Sequence, residues 1–252
     1  MLTTISHGTA TDAPPLLIAH GLFGSARNWG VIAKRLSDER QVIAVDMRNH
    51  GQSPWTDRHR YADLAADLAE VIAAHGGRAD VLGHSMGGKA AMMLALGHGA
   101  LVRRLIVGDV APVPYGHTQM HFIEAMRAVD LSKVERRSDA EAQLAAQGVE
   151  RALQSFFTQS LDLKEHRWKL NLDTLAAEMP EILGFPDVSG QWDGPALFLT
   201  GSDSDYVTPE ARPRIRALFP HARFAKLSGA GHWLHADKPR EFEATVRAFL
   251  NA

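Results

Sequence analysis

The sequence predicts an α/β protein: a mostly parallel central sheet covered by helices on both faces and carrying one helical insertion. Three observations predict it. Six short apolar runs, Leu16–Ala19, Gln41–Val45, Asp80–Leu82, Leu105–Val107, Ala196–Leu199 and Arg223–Leu227, are each bounded by turn residues and read as buried strands. Between most of them lie segments of helical period, the clearest placing Leu64, Leu68, Val71, Ile72 and His75 on one face. Alternation of this kind builds a parallel sheet with helices on its faces. It fails once. Between Pro112 and Pro195 there is no convincing strand, only amphipathic stretches around His121–Val129, Ala140–Ala146, Val149–Phe157 and Leu172–Met179, broken by Gly148, Pro180 and Pro186. A structureless loop of that length is improbable, so the segment reads as a helical insertion of about 75 residues. The expected division is a core of residues 1–112 and 194–252 with a helical cap of 113–193. The chain closes with a helix from about Pro239 to Leu250, for which Asp237 is the expected N-cap.

Composition excludes several classes of function. The 252 residues include no cysteine, which removes thiol nucleophiles, thiolate zinc sites and disulfides. A net charge of −2 argues against nucleic-acid partners held by bulk electrostatics. No segment before Arg27 resembles a signal peptide and no stretch is long enough to span a bilayer, so a cytoplasmic protein is expected, a monomer or small homo-oligomer. His117 and His121 lack the acidic partner of a metal-binding helix, and neither a metal nor an organic cofactor is expected.

The chemistry concentrates where strands end, since open parallel sheets bind ligands outside their carboxyl edges. Gly83-His84-Ser85-Met86-Gly87 follows the Asp80–Leu82 strand and precedes a helical run, the context a G-x-S-x-G nucleophile turn requires. Side chains at Gly83 and Gly87 would clash with the closing backbone, and the helix beginning at Met86 presents its N-terminal amides to any anion formed beside Ser85. The same stretch satisfies G-x-x-x-x-G-K, but Ala90 stands where a phosphate loop needs the Ser or Thr that binds magnesium.

A serine hydroxyl needs a base within reach. Of 13 histidines, His232 stands apart: it lies in the glycine-rich turn Gly229-Ala230-Gly231-His232-Trp233 between the last strand and the final helix. His84 is better placed for packing than for catalysis, and His59 and His75 carry no motif and read as surface or partly buried residues. The carboxylate that would orient the imidazole stays open on this reading, between Asp109 after the Leu105–Val107 strand, Asp203 and Asp205 after the Ala196–Leu199 strand, and Asp173 in the insertion. Two preorganised N–H donors are needed for an oxyanion, and Met86 and Leu22, the latter in His20-Gly21-Leu22-Phe23-Gly24, are the candidates. Asp46 and Arg48 are expected to pair and brace these loops.

With His20-Gly21, Asp46-x-Arg48-x-His50-Gly51-x-Ser53, Gly83-x-Ser85-x-Gly87 and Gly231-His232 in this order, the sequence resembles the α/β-hydrolase family over nearly its whole length, and within it the small bacterial esterases of the YbfF type. The resemblance implies a serine hydrolase cleaving carboxylic esters or acyl thioesters such as acyl-CoA, with small-molecule substrates. It also bears on the acid. Most of the family carry it where Asp205 stands, four residues before Pro209, whereas the YbfF-like group uses one after the preceding strand, which matches Asp109. Asp109 is therefore the preferred acid and Asp205 the alternative. Only Leu2–Ile5 remains for the family's first antiparallel strands, so a sheet one strand short is expected. The substrate pocket is expected to take Phe23, Phe122, Met126, Phe156, Trp168 and Trp233. A carbon–carbon bond hydrolase, a perhydrolase or a slow-turnover receptor would share the same catalytic residues.

Overall fold

The computed structural model describes all 252 residues. Its centre is a seven-stranded sheet of order β1-β3-β2-β4-β5-β8-β9, formed by β1 (Thr4–His7), β2 (Leu16–Ala19), β3 (Val42–Val45), β4 (Ala79–His84), β5 (Val102–Gly108), β8 (Ala196–Gly201) and β9 (Ala222–Leu227). All pairings are parallel except that of β1 with β3. The start of the chain thus supplies a single antiparallel edge strand, at Thr4–His7.

Side chains alternate across each strand, and the alternation sorts them into two cores. Leu17, Ile43, Val81, Leu105 and Val107 face one side, where α2 (Tyr61–Ala74) and α3 (Met86–Gly97) pack. Leu16, Ile18, Val42, Leu82 and Ile106 face the other, against α1 (Gly30–Leu36) and α11 (Pro239–Leu250). Both faces are covered, which is why these strands read as continuous apolar runs. The ordered strands run longer than those runs: Arg103 and Arg104 mask the start of β5, and Arg103 reaches back to bind the buried carboxylate of Asp80 through Nε and Nη2, at 2.8 and 2.5 Å.

Between β5 and β8 lie α4 (Met120–Arg127), α5 (Arg137–Ala146), α6 (Arg151–Thr158), α7 (Leu172–Ala177) and α8 (Met179–Leu183). Their apolar faces join the same core as α2 and α3, through Ile123, Met126, Leu144 and Phe157. Contrary to the sequence expectation, this segment does contain strands, the antiparallel pair β6 (Leu161–Asp162) and β7 (Arg167–Trp168). At two residues each they are too short to show a period of two. The break expected at Pro180 falls between α7 and α8, and Pro180 sits in the first turn of α8, where its missing N–H would have had no partner. The remaining helices are α9 (Arg212–Leu218) and α10 (Leu234–Asp237). Asp237 is not the N-cap of α11, a position held by Lys238; its carboxylate accepts the Gly231 N–H at 2.9 Å and so braces the turn before His232.

Candidate active site

Ser85 occupies the turn from β4 into α3 with φ 52° and ψ −120°, a region that L-residues rarely adopt, at a strain of about 1–3 kcal/mol. Two glycines make the turn sterically possible. A Cβ on Gly83 would lie 2.1 Å from the Gly87 carbonyl oxygen, and one on Gly87 would lie 2.4 Å from that of Ala19. The neighbouring loop approaches just as closely: a Cβ on Gly21 would sit 3.2 Å from the Ser85 Cβ. Leu22 and Met86, the expected oxyanion donors, therefore come from segments that meet at Ser85.

Asp109 follows β5 in a left-handed conformation, φ 50°, which turns its side chain beneath the β9–α10 loop. The carboxylate is fully buried and accepts from three donors: His232 Nδ1 at 2.8 Å and Ser204 Oγ at 2.5 Å on Oδ2, and the Gly201 N–H at 3.2 Å on Oδ1. The structure brings His232 to Asp109 and not to Asp205, whose side chain is exposed. Ser204, three residues after Gly201, takes the position facing Asp109. His232 is held on two further sides, since its ring stacks on Tyr206 at 3.8 Å and its carbonyl accepts from His84 Nε2 at 2.8 Å. Burial drives the His84 pKa well below its ordinary value, so the ring stays a neutral brace.

Ser85 and His232 share a cavity of about 300 Å³ with Leu22, Phe23, Phe122, Phe156, Phe157 and Trp233. Two residues expected in the pocket lie outside it. Met126 is one turn beyond Phe122 on α4, and the Trp168 indole N–H donates to the Met126 carbonyl at 2.9 Å, so both are packed away from Ser85. The spacing of Met126 from Phe122 reported packing along α4, and Trp168 lies on β7 rather than on a helix. Arg48 also differs from expectation: it pairs with Asp67 on α2 at 2.6 Å, while Asp46 accepts the N–H groups of Ala26 and Gln52, each at 2.8 Å. Both brace their loops, but separately, because Arg48 turns outward to α2 and Asp46 turns into the loop.

Several polar groups of the site carried no sequence signal of their role. His59 is fully buried, not at the surface, and forms a chain of rings with His20 and His50, the three spaced 5.0 and 5.5 Å apart. Lys89 is buried in the first turns of α3. Its ammonium donates to the carbonyls of Leu183 at 2.9 Å and Gly184 at 2.5 Å and lies over the Tyr115 ring, and burial pushes its pKa down to about 7. The only trace of His20, His50 and Lys89 in the sequence was membership of the motifs around His20-Gly21, Arg48-x-His50-Gly51 and Ser85, and His59 left none. His117 is not on a helix with His121; its Nε2 lies 3.1 Å from the Tyr206 hydroxyl. No group of three or more His, Asp or Glu side chains is arranged so as to hold a metal ion.

A model of the alpha/beta hydrolase family matches residues 16–245. The chain belongs to the α/β-hydrolase family. Among similar proteins, the mouse sn-1-specific diacylglycerol lipase ABHD11 is 41% identical, the match covering 96% of this chain and 82% of that protein. Esterase YbfF of Escherichia coli is 38% identical over 94% of this chain and 93% of its own length. A solved marine microorganism esterase superposes with a TM-score of 0.93 at 37% identity, covering 98% of both chains. The named relatives of this α/β hydrolase are thus carboxylic ester hydrolases. None of its helices is long and apolar enough to cross a membrane.

Proposed function

We propose that this α/β hydrolase cleaves carboxylic esters through an acyl-enzyme on Ser85. The observation that carries the reading is the His232 Nδ1 to Asp109 contact of 2.8 Å, made behind the cavity that His232 and Ser85 both line. Asp109, accepting at Oδ2, keeps the proton on Nδ1 and leaves Nε2 free as base. His232 removes the Ser85 proton as the oxygen attacks the acyl carbon, and the resulting oxyanion is met by the amides of Met86 and Leu22. His232 then protonates the departing alcohol; water, activated by the same base, releases the acid and restores Ser85. A thiol is expelled by the same steps, so acyl thioesters such as acyl-CoA belong to the same reading. Every step is supplied by side chains and amides of the chain, without a cofactor.

Residues 113–193 act in this proposal as the cap that selects substrate, placing Phe122, Phe156 and Phe157 over the acyl group. A cavity of about 300 Å³ is at the small end for ligand sites and favours short to medium acyl chains. The test is labelling by a fluorophosphonate, followed by a series of nitrophenyl esters and acyl-CoAs of increasing chain length. Labelling at Ser85 and loss of turnover in Ser85→Ala are expected; unlabelled Ser85 with undiminished ester cleavage in Ser85→Ala would refute the route.

A further inference from the structure

We propose that His20 and His50 are positioning residues that set the direction of the Leu22 N–H at the oxyanion site, acting through their imidazole tautomers. The inference rests on the proposed acyl-enzyme route and adds to it the device that aims one of its two donors. His20 Nδ1 lies 2.7 Å from the Gly21 carbonyl oxygen, so that nitrogen carries the proton and donates. Its other nitrogen, Nε2, is left as an acceptor, and the Met47 N–H donates to it at 2.9 Å. His50 repeats the arrangement. Its Nδ1–H donates to the Arg48 carbonyl at 2.9 Å and its Nε2 accepts the Phe23 N–H at 3.2 Å.

The consequence follows from peptide planarity. The carbonyl of Gly21 and the N–H of Leu22 belong to one trans peptide unit and point in opposite directions. The Gly24 N–H also donates to this carbonyl, at 3.0 Å, and the shorter bond from His20 is the one that completes its hold; anchoring the carbonyl in this way fixes where the Leu22 N–H points, and drawing on the carbonyl oxygen also polarises that N–H toward stronger donation. His50 holds the next N–H, that of Phe23, and stops the following peptide from rotating. Phe23 itself has φ 63°, a left-handed conformation that needs such a hold. The third ring of the chain ties in the other donor segment. Asn49 Nδ2 donates to His59 Nδ1 at 3.2 Å, so His59 carries its proton on Nε2, facing the Met86 sulfur at 3.2 Å. Each ring is buried and each is held neutral by that burial, His20 at about 4 and His50 at about 3.

Two experiments test the inference, the first on the wild-type enzyme. Imidazole 15N shifts at neutral pH are expected to report Nδ1–H for His20 and His50 and Nε2–H for His59; an Nε2–H tautomer at His20 would overturn the proposal outright. The second compares His20→Asn with His20→Gln. An asparagine amide reproduces the donor at Nδ1 but not the acceptor at Nε2, and a glutamine does the reverse. His20→Asn is expected to keep kcat within about threefold, and His20→Gln to lose about 10–100-fold in kcat with little change in KM, a part of what deleting an oxyanion donor costs. Equal losses in both variants, or wild-type kcat in His20→Gln, would show a ring that serves packing alone. Fluorophosphonate labelling of the wild type separates the two levels: absent labelling at Ser85 strikes at the acyl-enzyme route, whereas normal labelling with unaffected His20→Gln strikes only at the positioning role.

Discussion

Replacing Asp109 with asparagine tests the orienting acid most sharply. In the native site Oδ2 accepts from both His232 Nδ1 and Ser204 Oγ, while Oδ1 accepts from the Gly201 N–H. An amide has one acceptor oxygen, and either orientation puts its NH2 against a donor. With the NH2 at the Oδ2 position, the Ser204 hydroxyl can rotate to accept, but His232 relieves the clash only by moving its proton to Nε2. That tautomer cannot take the Ser85 proton. With the NH2 at Oδ1, it faces the rigid Gly201 N–H, so the first orientation prevails. A comparable change in a serine protease lowers kcat by about 10⁴, and a loss of that order is expected here. Asp205→Asn, an exposed change, should leave kcat within about twofold. The assay is steady-state hydrolysis of a nitrophenyl ester by both variants, with circular dichroism to verify folding. If Asp205→Asn is the inactive protein and Asp109→Asn turns over normally, the assignment and the tautomer argument both fall.

Three further outcomes are expected. Asp80→Asn should destabilise the protein by about 3–5 kcal/mol in urea unfolding while sparing kcat of the folded enzyme, because Arg40, which pairs with Asp80 at 2.9 Å, is left as a buried charge with no counter-ion. Gly83→Ala should cost more than about 4 kcal/mol or prevent soluble expression, since the added carbon would lie 2.1 Å from a backbone oxygen that cannot move without opening the Ser85 turn. Acid should destabilise the fold through the neutral histidines. His20 and His50 have folded pKa values of about 4 and 3, below their unfolded value, so the unfolded chain binds more protons as pH falls. Their contribution is fully present above pH ~6.5 and is lost toward pH ~4 for His20 and toward pH ~3 for His50, at about 1.4 kcal/mol per pH unit for each ring. Urea midpoints measured across that range should fall less steeply in His20→Asn than in wild type; identical slopes would contradict a neutral buried His20.

Much of the site was legible in sequence because its requirements are local. The turn at Ser85 needs glycine two residues to either side, and that need is written at Gly83 and Gly87. The turns that carry Asp109 and His232 are marked by Gly108 and Gly231, and six of the seven sheet strands by apolar runs. Pairing preferences between distant side chains leave no such mark. Arg48 could have met Asp46 two residues away, yet it meets Asp67 on the next helix; Met126 and Trp168 share the apolar character of true pocket residues, and only the packing of α4 against β7 turns them away from Ser85. The hairpin β6–β7 was too short to show its period.

By itself, then, the sequence determined the sheet, the inserted helical segment and the nucleophile turn, because hydrophobic period and glycine sterics act over a few residues. The tertiary structure decided which carboxylate faces His232, since Asp109 and Asp205 both leave strand ends at the same edge of the sheet. It decided this by the direction in which each backbone leaves its strand: the left-handed turn at Asp109 aims that carboxylate at Nδ1, and the loop after β8 presents Ser204 there and sends Asp205 to solvent.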